Sequence, residues 1–316
     1  MSSDRCKALL SWYALHARKL PWRETTDPYH IWISEIMLQQ TQVKTVLPRY
    51  LGWFEAFPTI EALASASADD VLKAWEGLGY YRRARFIHRS AQMIQSDYDG
   101  RFPNEFDDIM KLSGIGRSTA GAISSFCFST FTAVLDGNVK RVLKRWYAKP
   151  ETGDKELWLL AQQAIETADD PAIWNQAMME LGATVCSAKS PSCEQCPVQH
   201  HCASAFHVDI SKEIRKPVAV LDVHWRIHLF ICPEKGIWLS QRPDSGIWAG
   251  LWTPPITELE ECPEQEPAHI HQLTHRRLHL YPDQSETEPR GDGRWVPSIE
   301  GYALPTGIHH LLEKVI

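Results

Sequence analysis

Apolar side chains recur every three or four positions through the first two thirds of the chain. This is the spacing of helices that bury one face. Residues 4–19, 154–168 and 171–182 each follow it, and Pro171 suits a first helical position. Up to Cys202 almost nothing alternates between apolar and polar as a half-buried strand does. The pattern therefore predicts an all-α region.

The pattern changes after position 203. Residues 204–218 are mostly polar, which predicts a linker between an all-α domain over 1–203 and a second domain over 219–316. Short runs typical of strands follow, punctuated by Gly and Pro. These runs are 218–223, 225–232, 237–241 and 278–281, and a short helix is predicted over 308–315. The second domain is predicted to be α+β.

Residues 112–116 (Leu-Ser-Gly-Ile-Gly) separate two predicted helices, the second of which covers 118–128. Gly114 and Gly116 interrupt a helix and tolerate positive φ angles. The second helix would then begin with backbone N–H groups that suit a phosphate, because the helix dipole favours an anion there. From these residues alone, an ordinary turn between two helices is an equally good interpretation.

Length and composition limit the class of protein. A chain of 316 residues exceeds one typical domain, and 44% hydrophobic residues suffice for a packed core. The first residues lack the charged-then-apolar order of a signal peptide, and no apolar run reaches membrane-spanning length, so we expect a cytoplasmic protein, associated with the nucleoid if bacterial.

Charge is unevenly distributed along the chain. The formal net charge of −6 argues against nucleic-acid binding. Residues 101–150, however, carry eight Lys or Arg against four Asp or Glu, whereas residues 251–316 carry five against eleven. A basic centre with an acidic tail can still bind a phosphate backbone locally.

Four of the eight cysteines cluster within seventeen residues, at Cys186, Cys193, Cys196 and Cys202. In a chain that is not secreted, such a cluster indicates metal ligation rather than disulfides. The Cys-x2-Cys pair supplies the close spacing that two ligands of one centre need. Spacing alone leaves a structural zinc and an iron–sulfur cluster equally open.

Two acidic residues are candidates for catalysis. Glu35 interrupts an apolar helix face, where a carboxyl group is costly unless it is paired or functional. Asp136 precedes a predicted helix over 137–146 and would make an ordinary N-cap. The alternative interpretations are a helix-surface glutamate and a purely structural cap.

Several short motifs accompany these features. They are Pro-Trp-Arg at 21–23, Met-Leu-Gln-Gln-Thr at 37–41, Gly-Leu-Gly-Tyr-Tyr at 77–81, Leu-Asp-Gly-Asn-Val at 135–139 and Met-Glu-Leu-Gly-Ala at 179–183. Together with the hairpin and the cysteine spacing they resemble the MutY-type adenine DNA glycosylases, in the helix-hairpin-helix, iron–sulfur branch of the glycosylase superfamily. The resemblance covers most of residues 8–202. It implies an all-α glycosylase core with an iron–sulfur loop.

The resemblance implies a monomeric enzyme that flips adenine out of double-stranded DNA where adenine mispairs with 8-oxoguanine or guanine. Glu35 would protonate the base, and Asp136, helped by Asn138, would stabilise the cationic sugar. This agrees with the chemistry of the bond, because adenine is a poor leaving group unless it is protonated. A [4Fe–4S] cluster on Cys186, Cys193, Cys196 and Cys202 is also implied.

Further site residues follow from the same resemblance. The adenine pocket would comprise Leu20, Trp22, Arg23 and Glu180. Gln40 and Tyr80 would insert into the DNA, although both also suit ordinary packing at helix ends. Gly114, Gly116 and Ser118 would bind the DNA backbone, with a bound monovalent cation allowed at the hairpin.

Ser118 separates subclasses of the superfamily. Glycosylases that also cleave the strand through a Schiff base carry a lysine at the matching position, and serine has no amine for this chemistry. An endonuclease III-like enzyme is therefore disfavoured, and Glu35 argues against it as well. A catalytically silent mismatch-binding protein is the alternative from another class, and the pair formed by Glu35 and Asp136 disfavours it.

The C-terminal domain carries a second resemblance. Residues 241–255 are similar to the Arg-Pro…Gly-Leu-Trp…Pro segment of the lesion-recognition domain of this family, which is related to the MutT/Nudix fold. No Nudix metal-binding helix follows, so we expect recognition without pyrophosphatase activity. Leu273, Thr274 and His275 match the usual Phe-Ser-His triplet that reads the lesion. A strand end without lesion contact is the alternative.

Overall fold

The computed structural model describes residues 3–207, 219–284 and 289–315. These residues divide into two compact units, which lie within Met1–Gln40 plus Arg89–Ile214 and within Thr41–His88 plus Arg215–Ile316. Residues 208–218 of the predicted linker lie outside the described residues. The domain boundaries predicted from the sequence stay a prediction.

Helices account for all the regular structure described before residue 208. The predicted helices over 154–168 and 171–182 are confirmed with slightly different ends. The helices are α1 (Ser3–His16), α2 (Pro28–Leu38), α3 (Val43–Ala56), α4 (Ile60–Ser65), α5 (Ala68–Ala74), α6 (Arg82–Asp97), α7 (Phe106–Lys111), α8 (Arg117–Phe128), α9 (Gly137–Trp146), α10 (Asp154–Ile165) and α11 (Pro171–Thr184), with single 3₁₀ turns at Pro21–Arg23, Cys193–Gln195 and Gln199–His201.

The core of the first unit forms where α8, α9 and α11 pack together, with α1 against α11. Two glycines allow close approaches. A Cβ atom on Gly121 of α8 would lie 2.3 Å from the carbonyl oxygen of Ala133, and one on Gly182 of α11 would lie 2.6 Å from the Cβ of Asn138. The segment 133–138, which carries Asp136, is therefore held between two helices.

The helical part of the second unit is built around tryptophans. Trp53 of α3 and Trp75, which directly follows α5, are fully buried and meet edge to face with 5.6 Å between ring centroids. Ser67 starts α5 because its hydroxyl accepts a hydrogen bond from the backbone N–H of Asp70. The turn over 77–81 follows this packed region.

The C-terminal residues of the second unit form two small sheets and one helix. One sheet has the strand order β5-β1-β7-β6, with β1 and β7 parallel, and in the other β3 pairs with β2, β4 and β8. Helix α12 (Thr306–Val315) packs against β6 and β7. The strands are β1 (Leu221–Leu229), β2 (Ile231–Cys232), β3 (Gly236–Gln241), β4 (Trp252–Thr253), β5 (Ile256–Leu259), β6 (His269–Gln272), β7 (Arg276–Gln284) and β8 (Arg294–Val296).

The predicted break between strands 218–223 and 225–232 is wrong. Strand β1 runs through His224 without interruption. Val223, Trp225 and Ile227 are buried, while His224 points to the other face. The alternation therefore continues across the position where two strands were expected.

None of the helices in the described ranges is long and apolar enough to cross a membrane.

Candidate active site

Glu35 lies on α2 among buried apolar side chains. The helix begins at Pro28 because the carboxylate of Asp27 accepts a 2.7 Å hydrogen bond from the backbone N–H of Tyr29. Trp32 and Ile36, on either side of Glu35, are at most 2% exposed. The glutamate side chain is therefore carried into an apolar region by the helix on which it lies.

The surroundings of Glu35 favour its neutral form. Burial raises the pKa of Glu35 to about 8, and the negative charge of Asp136 contributes in the same direction, while Arg23 lowers it. A carboxyl group with this pKa is protonated at neutral pH and can donate a proton. Since the charge of Asp136 helps to raise this pKa, Asp136 is the carboxyl group that ionises first.

Asp136 caps α9. Its Oδ1 accepts a 2.7 Å hydrogen bond from the backbone N–H of Val139, and its Oδ2 accepts one of 3.1 Å from the Nδ2 of Asn138. Burial raises the pKa of Asp136, and these hydrogen bonds oppose the rise without cancelling it. The capping and catalytic interpretations are therefore compatible, because the cap fixes the carboxylate and gives its charge hydrogen-bond donors.

Asn138 is held from its other side by Arg141. The Nη2 of Arg141 donates to the Oδ1 of Asn138 (2.9 Å) and to the carbonyl oxygen of Gly182 (2.6 Å). Its Nε donates to the carbonyl oxygen of Cys186 (2.8 Å). One arginine thus joins the Asp136 cap, the end of α11 and the start of the cysteine loop. Nothing in the sequence singled out Arg141 for this role.

Ser118 contacts the segment that leads to Asp136. Its Oγ accepts a 3.1 Å hydrogen bond from the backbone N–H of Leu135, the residue before the aspartate. The hydroxyl therefore fixes the backbone beside Asp136. The sequence pointed to Ser118 as a DNA-backbone contact and as the place where an amine is missing, and did not predict this hydrogen bond.

Glu180 is fully buried and paired with two arginines. Its carboxylate accepts bonds from the Nε (2.8 Å) and Nη2 (2.7 Å) of Arg18 and from the Nη2 of Arg23 (2.8 Å). Burial alone would raise its pKa, but the hydrogen bonds from both arginines and the charge of Arg23 lower it to about 2. Arg18 was missed by sequence reasoning. A glutamate in an apolar helix requires a cation, but its own sequence does not say which one.

Leu20 and Trp22 are both buried. Trp22 lies within the 3₁₀ turn Pro21–Arg23 and Leu20 directly precedes it, and the turn packs against α2. The same turn carries Arg23, whose charge acts on Glu35 and whose guanidinium binds Glu180. The predicted pocket residues therefore lie near Glu35 in the first unit.

The predicted hairpin connects α7 and α8. Gly114 has a φ of +78°, which favours glycine, whereas Gly116 has an ordinary φ of −96° as the N-cap of α8. Gly116 has no side chain to cap the helix, so the first N–H groups of α8 receive no bond from it. This arrangement suits an anion at the N-terminus of a twelve-residue helix.

Gln40 and Tyr80, the predicted inserting residues, both have left-handed backbones. Their φ angles are 57° and 47°, and only seven non-glycine residues in the described ranges have positive φ. This conformation is strained for side chains other than glycine, and such strain concentrates at functional sites. Tyr80 is 51% exposed.

The predicted lesion-reading triplet forms the tip between β6 and β7. Leu273 packs against the core of the C-terminal domain, whereas Thr274 and His275 are exposed. The hydroxyl groups of Thr274 and Tyr80, both in the second unit, form a 2.9 Å hydrogen bond. The structure therefore brings together two predicted DNA-reading side chains that are 194 positions apart.

All four clustered cysteines are unpaired and line a single cavity after α11. The pKa of Cys196 is raised to about 11, mainly by burial and in addition by the negative charges of the other three cysteine thiolates. Four thiolates that repel one another require a cationic centre to hold them ionised. The donor set and the shared cavity therefore fit a thiolate-bound cluster.

Arg145 and Arg5 hold the cysteine loop. Arg145 donates from Nη1 to the Sγ of Cys186 (3.3 Å) and to the carbonyl oxygen of Ser187 (2.6 Å). Arg5 of α1 donates to the carbonyl oxygen of His201 (2.6 Å). The loop is thus fixed to α9 and α1 by its own protein contacts.

Three known families match separate parts of the chain. Residues 33–166 match the HhH-GPD superfamily of base excision DNA repair proteins, and residues 186–202 match the iron–sulfur binding domain of endonuclease III. Residues 226–314 match the NUDIX domain. The middle match begins and ends at the outer cysteines of the cluster.

The similarity to curated relatives decides the family. The adenine DNA glycosylase of Buchnera aphidicola subsp. Baizongia pistaciae is 40% identical over 255 residues, which cover 78% of this chain and 72% of the relative. The chain belongs to the adenine DNA glycosylase family. The human adenine DNA glycosylase is 44% identical over 216 residues, which cover 64% of this chain and 39% of that protein.

This adenine DNA glycosylase also resembles solved structures. A thermostable thymine-DNA glycosylase is 27% identical, with a TM-score of 0.60 over 65% of this chain and 97% of that one. The predicted helix-hairpin-helix core and Nudix-like C-terminal domain are confirmed. So are the iron–sulfur cofactor and the class of enzyme, a hydrolase of N-glycosyl bonds that acts on DNA.

Proposed function

We propose that this adenine DNA glycosylase excises adenine paired with 8-oxoguanine, and also adenine paired with guanine, from double-stranded DNA. The observation that carries the proposal is the pair formed by Glu35 and Asp136. One carboxyl group is protonated at neutral pH, and the other is held by hydrogen bonds and raises the pKa of the first. Two carboxyl groups with such different surroundings suit an acid and a charge stabiliser.

Glu35 is assigned as the general acid. Adenine leaves the sugar readily only when it is protonated, so the enzyme must deliver a proton to the base as the N-glycosidic bond breaks. With a pKa of about 8, Glu35 holds that proton at neutral pH. After transfer the glutamate is charged, and Arg23 is the nearby cation that favours this charge.

Asp136 is assigned to the sugar. Loss of the base leaves an oxocarbenium-like sugar, which a carboxylate on the opposite side stabilises or bonds to. Asn138 keeps Asp136 in place through its Nδ2, and Arg141 in turn orients the Asn138 amide. Asn138 is therefore a positioning residue for Asp136.

Leu20, Trp22, Arg23 and Glu180 are assigned to the adenine pocket. The two apolar side chains supply a dry surface for a flat base, since both are buried near α2. Glu180 already accepts hydrogen bonds from Arg18 and Arg23, so its first role is to fix the Arg23 guanidinium in the pocket. Arg18 joins this group of pocket residues.

The enzyme is proposed to release the base without lysine-dependent strand cleavage. Ser118 stands where strand-cleaving relatives of the superfamily would carry lysine, and its hydroxyl binds the backbone beside Asp136. Serine cannot form a Schiff base with the sugar. Water is then the acceptor of the sugar, and the product is an abasic site.

The hairpin with Gly114, Gly116 and Ser118 is assigned to the DNA backbone, and a monovalent cation bound there stays part of this proposal. Gln40 and Tyr80 are assigned to the gap left by the flipped base. Their left-handed backbones and the exposure of Tyr80 support the assignment. Flipping adenine costs a few kcal/mol, which inserted side chains offset by restoring stacking.

The triplet Leu273, Thr274 and His275 is assigned to the base opposite adenine. The exposed tip and the hydrogen bond between Thr274 and Tyr80 support it. Leu273 packs against its own domain, so Thr274 and His275 are the residues we expect to touch DNA. We further propose that the enzyme acts as a monomer.

Single-turnover excision tests the proposal on three duplexes, which contain A opposite 8-oxoguanine, A opposite guanine, and thymine glycol. Adenine should leave from duplexes with A opposite 8-oxoguanine and A opposite guanine, and borohydride should trap no covalent enzyme–DNA product. Glu35→Gln and Asp136→Asn should each stop excision while lesion binding remains. Release of thymine glycol alone would favour an endonuclease III-like enzyme, and binding without excision would favour a silent mismatch-binding protein.

A further inference from the structure

Side chains of the helical segment 41–88 and of the C-terminal domain bond directly within the second compact unit. These contacts cluster around the turn over 77–81, which carries Tyr80. The hydrogen-bonded pairs are Asp69 with Gln241, Lys73 with the carbonyl oxygen of Tyr302, Glu76 with His309, Tyr80 with Thr274, and Arg85 with the carbonyl oxygens of Asp244 and Ala249.

The first anchor of the turn is Glu76, the residue before Gly77. Its Oε1 lies 2.6 Å from the Nε2 of His309 on α12, and its Oε2 accepts a 2.8 Å bond from Lys73. The side chains of Glu76 and His309 are 18% and 28% exposed, so solvent screens this pair only partly. Burial would raise the pKa of Glu76, yet the bonds from His309 and Lys73 lower it.

The second anchor is Arg85, which follows the turn in the first part of α6. Its guanidinium donates to the carbonyl oxygens of Asp244 and Ala249, which lie in one loop of the C-terminal domain. Gly250 completes this loop with a φ of +70°, and a Cβ there would lie 3.5 Å from the guanidinium. The loop therefore folds closely around Arg85.

Between the two anchors the turn is rigid. The carbonyl oxygen of Gly79 accepts hydrogen bonds from the Nε1 of Trp75 (3.0 Å) and from the Nη2 of Arg83 (3.1 Å). Tyr80 follows with its left-handed backbone. A rigid turn fixed at both ends by the C-terminal domain leaves Tyr80 little freedom to move relative to Thr274.

We propose that His309 and Arg85 are positioning residues that hold Tyr80 in register with Thr274 and thereby set selectivity for the base opposite adenine. The inference rests on the proposed function, because it assigns Tyr80 and Thr274 to that base. Neither His309 nor Arg85 touches DNA in this scheme. They act through Glu76 and through the loop over 242–250.

The test compares His309→Gln and Glu76→Gln with wild type on duplexes with A opposite 8-oxoguanine and A opposite guanine. His228→Gln is the matched control. The Nδ1 of His228 lies 3.5 Å from the Oδ2 of Asp283, also in the C-terminal domain, and His228 is not among the residues that bond to the segment 41–88 in the pairs given above. Excision is measured at subsaturating enzyme. We expect the preference for 8-oxoguanine to fall about tenfold in both variants, the size expected for loss of a charge-assisted hydrogen bond.

Excision from A opposite guanine should stay within about twofold, because the chemistry of Glu35 and Asp136 is untouched. A purely structural role would slow both substrates alike and leave the ratio unchanged. The double variant Glu76→Gln/His309→Gln should be no worse than Glu76→Gln alone, because both substitutions break the contact between Glu76 and His309. His309→Lys, which keeps a hydrogen-bond donor at this position, should restore part of the preference.

The outcomes separate the two proposals. If wild type shows no preference for 8-oxoguanine, lesion recognition itself is wrong, and this inference fails with it. If wild type shows the preference and His309→Gln and Glu76→Gln keep it, the positioning inference is wrong while the proposed function stands. Arg85→Met tests the second anchor separately, because it removes the guanidinium that bonds to the loop over 242–250 and leaves Glu76 unchanged. It should likewise lower the preference for 8-oxoguanine.

Discussion

Glu35 and Asp136 depend on each other through charge. The charge of Asp136 is one cause of the raised pKa of Glu35, and a proton lost by Glu35 would place two negative charges in one buried region. Arg23 offsets part of this repulsion, but it is itself bound to Glu180. The site therefore holds one mobile proton, and its most stable place at neutral pH is on Glu35.

This placement predicts how the chemical step depends on pH. Excision requires protonated Glu35, so the single-turnover rate should fall as pH rises through about 8. Below that pH the glutamate stays protonated, and any decline toward acid pH would come from protonation of Asp136, whose pKa is also raised. Rates measured from pH 5 to 9.5 with saturating enzyme provide the check. A rate that is constant from pH 7 to 9 would contradict Glu35 as the acid.

Replacement of Glu35 should change stability in the opposite direction from activity. The pKa of Glu35 is near its ordinary value of 4.5 in the unfolded state but about 8 in the folded state. The folded state therefore becomes less stable relative to the unfolded state as pH rises from 4.5 to 8. Glu35→Gln should remove this cost and stabilise the protein by roughly 1–3 kcal/mol at pH 7, with the gain vanishing near pH 4. Thermal unfolding at both pH values measures it, with the exposed Glu55→Gln as control.

At the scale of elements, the N-terminus of α8 combines a helix dipole with a fixed arginine. The guanidinium of Arg117 lies 4.1 Å from the ring centroid of Trp158 on α10. Stacking uses the flat face of a guanidinium, whereas phosphate binds its edge. The first residue of α8 can therefore bind a phosphate next to the backbone N–H groups of the hairpin.

Arg117→Gln should weaken DNA binding and reduce its salt dependence. Loss of one phosphate contact lowers the slope of log affinity against log salt by about 0.9. Trp158→Leu should have a smaller effect in the same direction, because the arginine stays but is no longer held flat. Affinity titrations from low to moderate salt measure the slope, and the exposed Arg101→Gln is the control. An unchanged slope in Arg117→Gln would exclude this contact.

The sequence predicted correctly those features that depend on residues close together along the chain. The cysteine cluster spans seventeen residues, and the hairpin and the Glu35 helix each reveal their character through immediate neighbours. It missed pairs such as Arg18 with Glu180, which are 162 positions apart, and Glu76 with His309, which are 233 apart. Which charged side chains meet across such separations depends on helix packing that local patterns do not specify.

Strand boundaries failed for a related reason. His224 in β1 was expected to separate two strands, yet it stacks on His279 of the neighbouring β7, with 4.7 Å between ring centroids. A polar residue on the outer face of a strand is supported by its cross-strand partner, which is 55 positions away in sequence. Its role is visible only once the strands are paired.

At the scale of the whole molecule, chemistry and recognition are assigned to different compact units. Glu35, Asp136 and the four cysteines lie in the first unit, and Tyr80 and Thr274 lie in the second. Each unit has a hydrophobic core of its own, and the two cores share no residue among those described. Cys186, Cys196 and Cys202 pack against the core of the first unit only. The cofactor should therefore support one unit selectively.

Removal of the iron–sulfur cluster tests this selectivity. Without a cationic centre, four thiols whose ionised forms repel one another lose their common partner, and the loop after α11 is left with protein contacts such as its hydrogen bonds to Arg145 and Arg5. Hydrogen exchange should then increase in peptides covering 139–146 and 174–202, while peptides covering β1, β7 and α12 keep their protection. Restoring iron and sulfide anaerobically should reverse the change. Equal loss of protection in both cores would mean that the two units unfold as one, and that the cluster stabilises the whole chain rather than the first unit alone.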